Sequence, residues 1–177
     1  MVRLFIIAVC FVVTSTLPAD DKHEHKVSAT AKNPHFDTLK SFVGTWVETD
    51  KDGKPTDKVA LSIKLIGAGT AIHETIFPGQ PHEMVTVYHL DGKDVIGTHY
   101  CALGNQPKFK LDAKSTDKKL IFTFAGGANI DPAKDMHMHE GTVNIIDADT
   151  IESNWVGYSD GKPSKEHCMT TRLVRKK

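Results

Sequence analysis

The chain has 177 residues, with 22 basic against 22 acidic side chains and ten histidines, so its formal charge at pH 7 is zero. That balance supplies no positive field for holding nucleic acid or anionic lipid, and a hydrophobic content of 40 % excludes a chain too polar to collapse. The length fits one domain.

Arg3 precedes an unbroken apolar run from Leu4 to Val13, and the polar stretch that follows ends in the small residue Ala19. This is the pattern of a secretory signal peptide over residues 1–19. A membrane-spanning helix needs roughly 20 apolar residues, and here Pro18, Asp20 and Asp21 end the run. The chain is therefore expected to be exported, periplasmic or secreted, with no integral membrane segment after cleavage. Residues 20–35 carry His23 and His25 among Lys, Ser and Ala without apolar periodicity, and read as a flexible leader. Cys10 leaves with the signal. Cys101 and Cys168 alone then reach an oxidising compartment, too few for a disulfide scaffold.

From residue 36 to the C-terminus the pattern is that of a single all-β domain. A helical turn or two at 35–42 is followed by short alternating runs at 43–50, 58–66, 69–77, 82–90, 93–101, 106–113, 118–125, 135–146, 150–159 and 162–174. Asp-Gly pairs at 52–53, 91–92 and 160–161 are hairpin signals, because Gly accepts the positive φ of a tight turn. Ten sequential hairpin-linked strands remove their edges by closing, which predicts an antiparallel up-and-down barrel. On the fifth and tenth strands of such a barrel, Cys101 and Cys168 are not neighbours and stay unbonded.

Alternation also assigns faces. A two-residue turn at Asp91–Gly92 pairs Leu90 with Lys93, which sets Tyr88 opposite Val95, Met84 opposite His99 and His82 opposite Cys101. The other face carries Glu83, Val85, Val87 and His89 against Asp94, Ile96, Thr98 and Tyr100. A ligand-holding barrel has an apolar interior with a few fixed polar groups, and the face with His82, Met84, Tyr88, His99 and Cys101 fits that description better. Asn105 and Gln106, just beyond, would add amides at the rim.

Phe42-Val43-Gly44-Thr45-Trp46, opening the first strand, resembles the Gly-x-Trp start of lipocalins and other calycins, the superfamily that includes the fatty-acid-binding-protein-like barrels. The segments from His82 to His89 and from Thr98 to Pro107, with Thr98-His99-Tyr100-Cys101 and Gly104-Asn105-Gln106-Pro107, also resemble exported bacterial proteins from which no function can be imported. The calycin likeness implies that Trp46 closes one end of the barrel beneath an Arg of the last strand, a role open to Arg172. The Asp160–Gly161 turn pairs Ser159 with Lys162, Trp155 with Glu166 and Ser153 with Cys168. If Arg172 points inward, Trp155, Glu166 and Cys168 join the cavity wall by parity. A buried Glu166 would then need a donor.

His137 and His139, two apart on one strand, project to one face about 7 Å apart, a spacing used in some zinc sites. Met136 and Met138 would then face the core. Two ligands do not make a site, and nothing in the sequence shows that His99, Cys101, Cys168 or Glu140 converge on the pair. There is no Gly-x-Ser-x-Gly elbow, phosphate-binding Gly-rich loop or Cys-x-x-Cys pair. The expected function is therefore binding of a small, largely apolar molecule in the barrel interior, with ligand, cofactor and oligomeric state undetermined. The opposing readings are a metal- or haem-binding barrel that uses these histidines, and a hydrolase or isomerase with a histidine acid/base.

Overall fold

A computed structural model describes residues 32–177. The expected signal peptide and most of the expected leader lie outside the described residues. The chain enters through helix α1 (Pro34–Lys40), whose start is defined by the Asn33 side chain accepting from the His35 and Phe36 amides, with Pro34 at the first helical position. Pro34 and His35 thus belong to the folded domain rather than to the leader. Asn33 also donates from Nδ2 to the Lys93 carbonyl at 2.8 Å, which ties the helix to the barrel rim.

Ten strands follow: β1 (Gly44–Thr49), β2 (Pro55–Ile66), β3 (Ala71–Ile76), β4 (Met84–Asp91), β5 (Asp94–Tyr100), β6 (Gln106–Leu111), β7 (Lys119–Ala128), β8 (His137–Asp147), β9 (Thr150–Ser159) and β10 (Lys162–Arg175). Each pairs antiparallel with its neighbours in sequence, and β1 also pairs with β10, so the sheet is a closed up-and-down barrel. Closure satisfies every strand edge within the sheet. The inward positions of successive strands form one apolar core, with Ile63, Ile72, Val95, Phe109, Leu120, Phe122, Ile151 and Leu173 all buried.

The Gly-x-Trp segment has a physical explanation at the helix-capped end. Trp46 is fully buried, donates from its indole N–H to the Phe42 carbonyl at 2.8 Å and packs edge-on against the Phe42 ring. Gly44 has φ 135, and a Cβ there would stand 3.0 Å from Arg175 Nη1, so the backbone and the guanidinium both call for glycine. The residue over the indole is Arg175, with its guanidinium carbon 4.5 Å from the ring centroid. It donates to the Val43, Ser41 and Ala148 carbonyls and pairs with Asp149.

Arg172 does not take that place: it is exposed, opposite Glu152 of β9. The hairpin register explains why. Lys162 pairs with Ser159 as the turn requires, but β10 carries three more residues than β9 between the pairs Pro163–Tyr158 and Cys168–Val156. An odd insertion exchanges the two faces of everything beyond it. Met169, Thr171 and Leu173 therefore oppose Trp155, Ser153 and Ile151, and Arg175 opposes Trp46. The pairings of Trp155 with Glu166 and of Ser153 with Cys168 are corrected in the same way. Inside the bulge Ser164 Oγ lies 2.9 Å from His167 Nδ1, and Cys168 Sγ donates to the Ser164 carbonyl.

The β4–β5 hairpin departs from expectation more mildly. Its loop is Gly92–Lys93, so Leu90 pairs with Val95, Tyr88 with Gly97 and Thr86 with His99. Partners have slipped by two residues. An even slip leaves the faces unchanged, and Met84, Tyr88, His99 and Cys101 do face the interior. Cys101 and Cys168 are both free thiols.

Candidate functional site

A cavity of about 300 Å³ occupies the barrel interior. Its floor is Leu39 and Phe42 beside the α1 end, and exposed Leu103 and Met169 stand at its opposite, outer end. The volume lies at the lower limit for small-molecule sites. Met84, Tyr88, His99, Cys101, Trp155 and Glu166 all line it, Glu166 from the β10 bulge. Met136 and Met138 also line it, on the inner face expected for them.

Three anticipated residues stand elsewhere. His82 precedes β4, is exposed, and rests on the Phe77 ring with centroids 4.9 Å apart. Without strand pairing at that position, alternation no longer assigns it a face. Asn105 is buried but donates to the Met136 carbonyl at 2.8 Å, and Gln106 accepts from Asn129 at 2.8 Å. These two amides join the loop at 101–105 to the segment before β8 and do not line the cavity.

The cavity wall has two unlike sides. One is aromatic: Trp155 lies 4.9 Å from the Phe109 centroid and stacks on Phe122 at 5.7 Å, while Tyr88 is tilted against Phe122 at 5.7 Å. Two glycines allow these rings to lie against the sheet. A Cβ on Gly97 would come within 2.8 Å of the Tyr88 ring, and one on Gly141 within 2.5 Å of the Trp155 ring. Trp155 Nε1 donates to Ser153 Oγ at 3.1 Å, so the indole brings no unpaired donor into the cavity.

The other side is a polar row across three consecutive strands. Glu74 of β3 is the direct partner of Thr86 of β4, and Thr86 is the direct partner of His99 of β5. Tyr88 O–H donates to Glu74 Oε2 at 2.9 Å, and Thr86 Oγ1 lies 2.9 Å from His99 Nδ1. His99 Nε2 is buried with no hydrogen-bond partner. Burial pushes the Glu74 carboxyl up to about 7 against the opposing pull of the Tyr88 and Thr86 hydroxyls, and lowers His99 to about 4. Tyr88 is raised well above its usual value, first by burial and then by the charge and hydrogen bond of Glu74.

At neutral pH His99 is uncharged, and its Nδ1 meets the Thr86 hydroxyl in either tautomer, because a hydroxyl both donates and accepts.

Glu74 and Thr86 were not singled out from the sequence, although a sign of Glu74 was there. It stands between Ile72 and Ile76 at alternate positions of one strand, which makes it the one charged residue on an apolar face. Thr86 became visible only through the two-residue slip that placed it opposite His99.

His137 and His139 belong to neither side. A bulge between Met138 and Glu140 brings their rings within 5.2 Å, and His137 Nε2 lies 3.0 Å from His139 Nδ1. His137 Nδ1 donates to the Asp135 carbonyl, which turns Nε2 towards His139 Nδ1. Phe124 and Tyr158 pack against the pair. Burial, and next the neighbouring His137, lower the His139 pKa. Among the described residues no three His, Cys, Asp or Glu side chains are grouped to hold a metal ion. No protein-family model matches the chain, and a search of curated proteins yields no match.

Proposed function

We propose that this is an exported, calycin-like barrel that binds a small, largely apolar molecule in its interior. The observation that carries the reading is the cavity itself: a closed barrel holds about 300 Å³ of space between an aromatic wall and a buried polar row in which His99 Nε2 has no partner. A barrel that served only as a scaffold would fill this space with side chains, since protein interiors pack to crystal-like density. Buried polar groups are tolerated where something satisfies them. Trp46 under Arg175, at the helix-capped end, supports the calycin likeness. No described helix is long and apolar enough to cross a membrane.

The test is titration of the purified protein with N-phenyl-1-naphthylamine, an uncharged apolar fluorophore, alongside native mass spectrometry of material recovered from the exporting host. Saturable enhancement with about one site per chain, or a retained small molecule, is the expected result. A folded protein that neither enhances the probe nor carries any extra mass overturns the reading. A Soret band or a stoichiometric metal in the same material would replace it with the haem or metal alternative.

A further inference from the structure

The chemistry of the polar row narrows the ligand class, and this step rests on the binding function proposed above. Glu74 is a carboxylate inside an apolar barrel, answered by the Tyr88 hydroxyl and by no cation: the described lining residues include no Lys or Arg. The other ionisable groups lining the cavity are His99, Tyr88, the two thiols and, on the β10 bulge, Glu166 and His167. Neutral His99 does not balance the charge, and the Tyr88 hydroxyl already donates to Glu74. A buried carboxylate without a counter-charge is costly.

With Glu74 ionised the row offers the cavity the acceptor oxygens of its carboxylate. Lining the same cavity are the rings of Tyr88, Phe122, Phe109 and Trp155, whose π-faces attract cations. An anionic head would meet a like charge and no donor fork. A head with several N–H donors and a positive charge would satisfy the Glu74 carboxylate while its apolar body stacks on the rings.

We propose that the cavity selects apolar amines, seating an ammonium head on the Glu74 carboxylate with the apolar body against the aromatic wall. At pH 8 the amine is protonated, and the preference is expected to be clear. The experiment holds the apolar body constant and changes the head: 4-phenylbutylamine, 4-phenylbutanol and 4-phenylbutyrate each compete with N-phenyl-1-naphthylamine for the full chain at pH 8. The amine should bind tighter than the alcohol by about tenfold, the scale of one charge-assisted hydrogen bond, and the carboxylate should bind weakest.

In Glu74→Gln, with folding checked by thermal melting, the amine should lose its advantage and bind no tighter than the alcohol. Tyr88→Phe, compared at pH 9 because it removes a hydroxyl that holds the Glu74 pKa down, leaves the carboxyl group in place; it should keep the order amine over alcohol and serves as the second variant should Glu74→Gln fail to fold. Alcohol or carboxylate binding as tightly as the amine overturns the inference, as does an amine preference that survives Glu74→Gln or is lost in Tyr88→Phe. If the fluorophore binds and none of the three displaces it, the head-group inference fails and the binding function stands. If the fluorophore does not bind either, both fail.

Discussion

Two regions of this barrel set polar side chains against its apolar core, and they treat them in opposite ways. At the helix-capped end the Trp46 indole and the Arg175 guanidinium have their donors matched to the carbonyls of Phe42, Val43, Ser41 and Ala148 and to the Asp149 carboxylate. Midway along the interior, Glu74 has no counter-charge among the described residues and His99 Nε2 has no partner. The first arrangement is finished within the chain and closes the fold. The second leaves hydrogen-bonding capacity beside empty space, which is what a site that receives something requires.

The comparison breaks most visibly at the closed end. Trp46→Ala should cost about 3–5 kcal/mol, as for other large aromatic truncations in a packed core, read by denaturant unfolding. Arg175→Ala should follow at about 2 kcal/mol, from the lost ring contact and the carbonyls left unanswered. Arg172→Ala should stay within about 0.5 kcal/mol, as for an ordinary surface change. An Arg172→Ala loss larger than that of Arg175→Ala would contradict the β10 register.

The interior responds to pH. Glu74 rises from its usual 4.5 to about 7 in the folded state, so the folded chain retains a proton that the unfolded chain gives up, and stability falls as pH rises through that window. His99 drops from 6.5 to about 4, so the unfolded chain binds the extra proton, and stability is lost as pH falls from 6.5 towards 4. Each effect is about 3 kcal/mol at full extent, and over most of this range the two oppose each other. The pair should therefore add little net slope to the wild-type stability between pH 4.5 and 6.5. Glu74→Gln should expose a stability that climbs with pH, and His99→Phe one that declines. Parallel slopes in both variants, measured by urea unfolding across that range, would refute the assigned environments.

A subtler change sharpens the contrast from the aromatic side. Gly141→Ala places a methyl group where the Trp155 ring lies, at a cost of about 1–3 kcal/mol for overpacking. The displaced indole should weaken N-phenyl-1-naphthylamine binding, while the near-ultraviolet circular dichroism of the folded protein persists. Unchanged probe affinity would mean that Trp155 is not part of the wall that the ligand meets.

Strand number, hairpin order and closure were legible because they depend on local signals: alternation with period two, Gly at tight turns, and no helical period between strands. The assignment of Met84, Tyr88, His99 and Cys101 to the interior was legible too, because an even slip in the β4–β5 loop preserves parity. What alternation could not supply was the count of residues inside a bulge. The three extra residues after Pro163 reversed every face downstream and moved the stacking arginine from Arg172 to Arg175. Pro163 was the one readable warning, since a residue without an N–H interrupts a ladder.

The sequence by itself determined that this chain builds a ten-stranded up-and-down barrel with mixed polar and apolar side chains on one hairpin face, since those properties follow from the period of each segment taken alone. Only the tertiary structure decided that Glu74, Thr86 and His99, from three different strands, stand side by side with no cation to answer them. Cross-strand neighbours are set by register, register by the residues that loops and bulges absorb, and that number is decided when the barrel closes on itself.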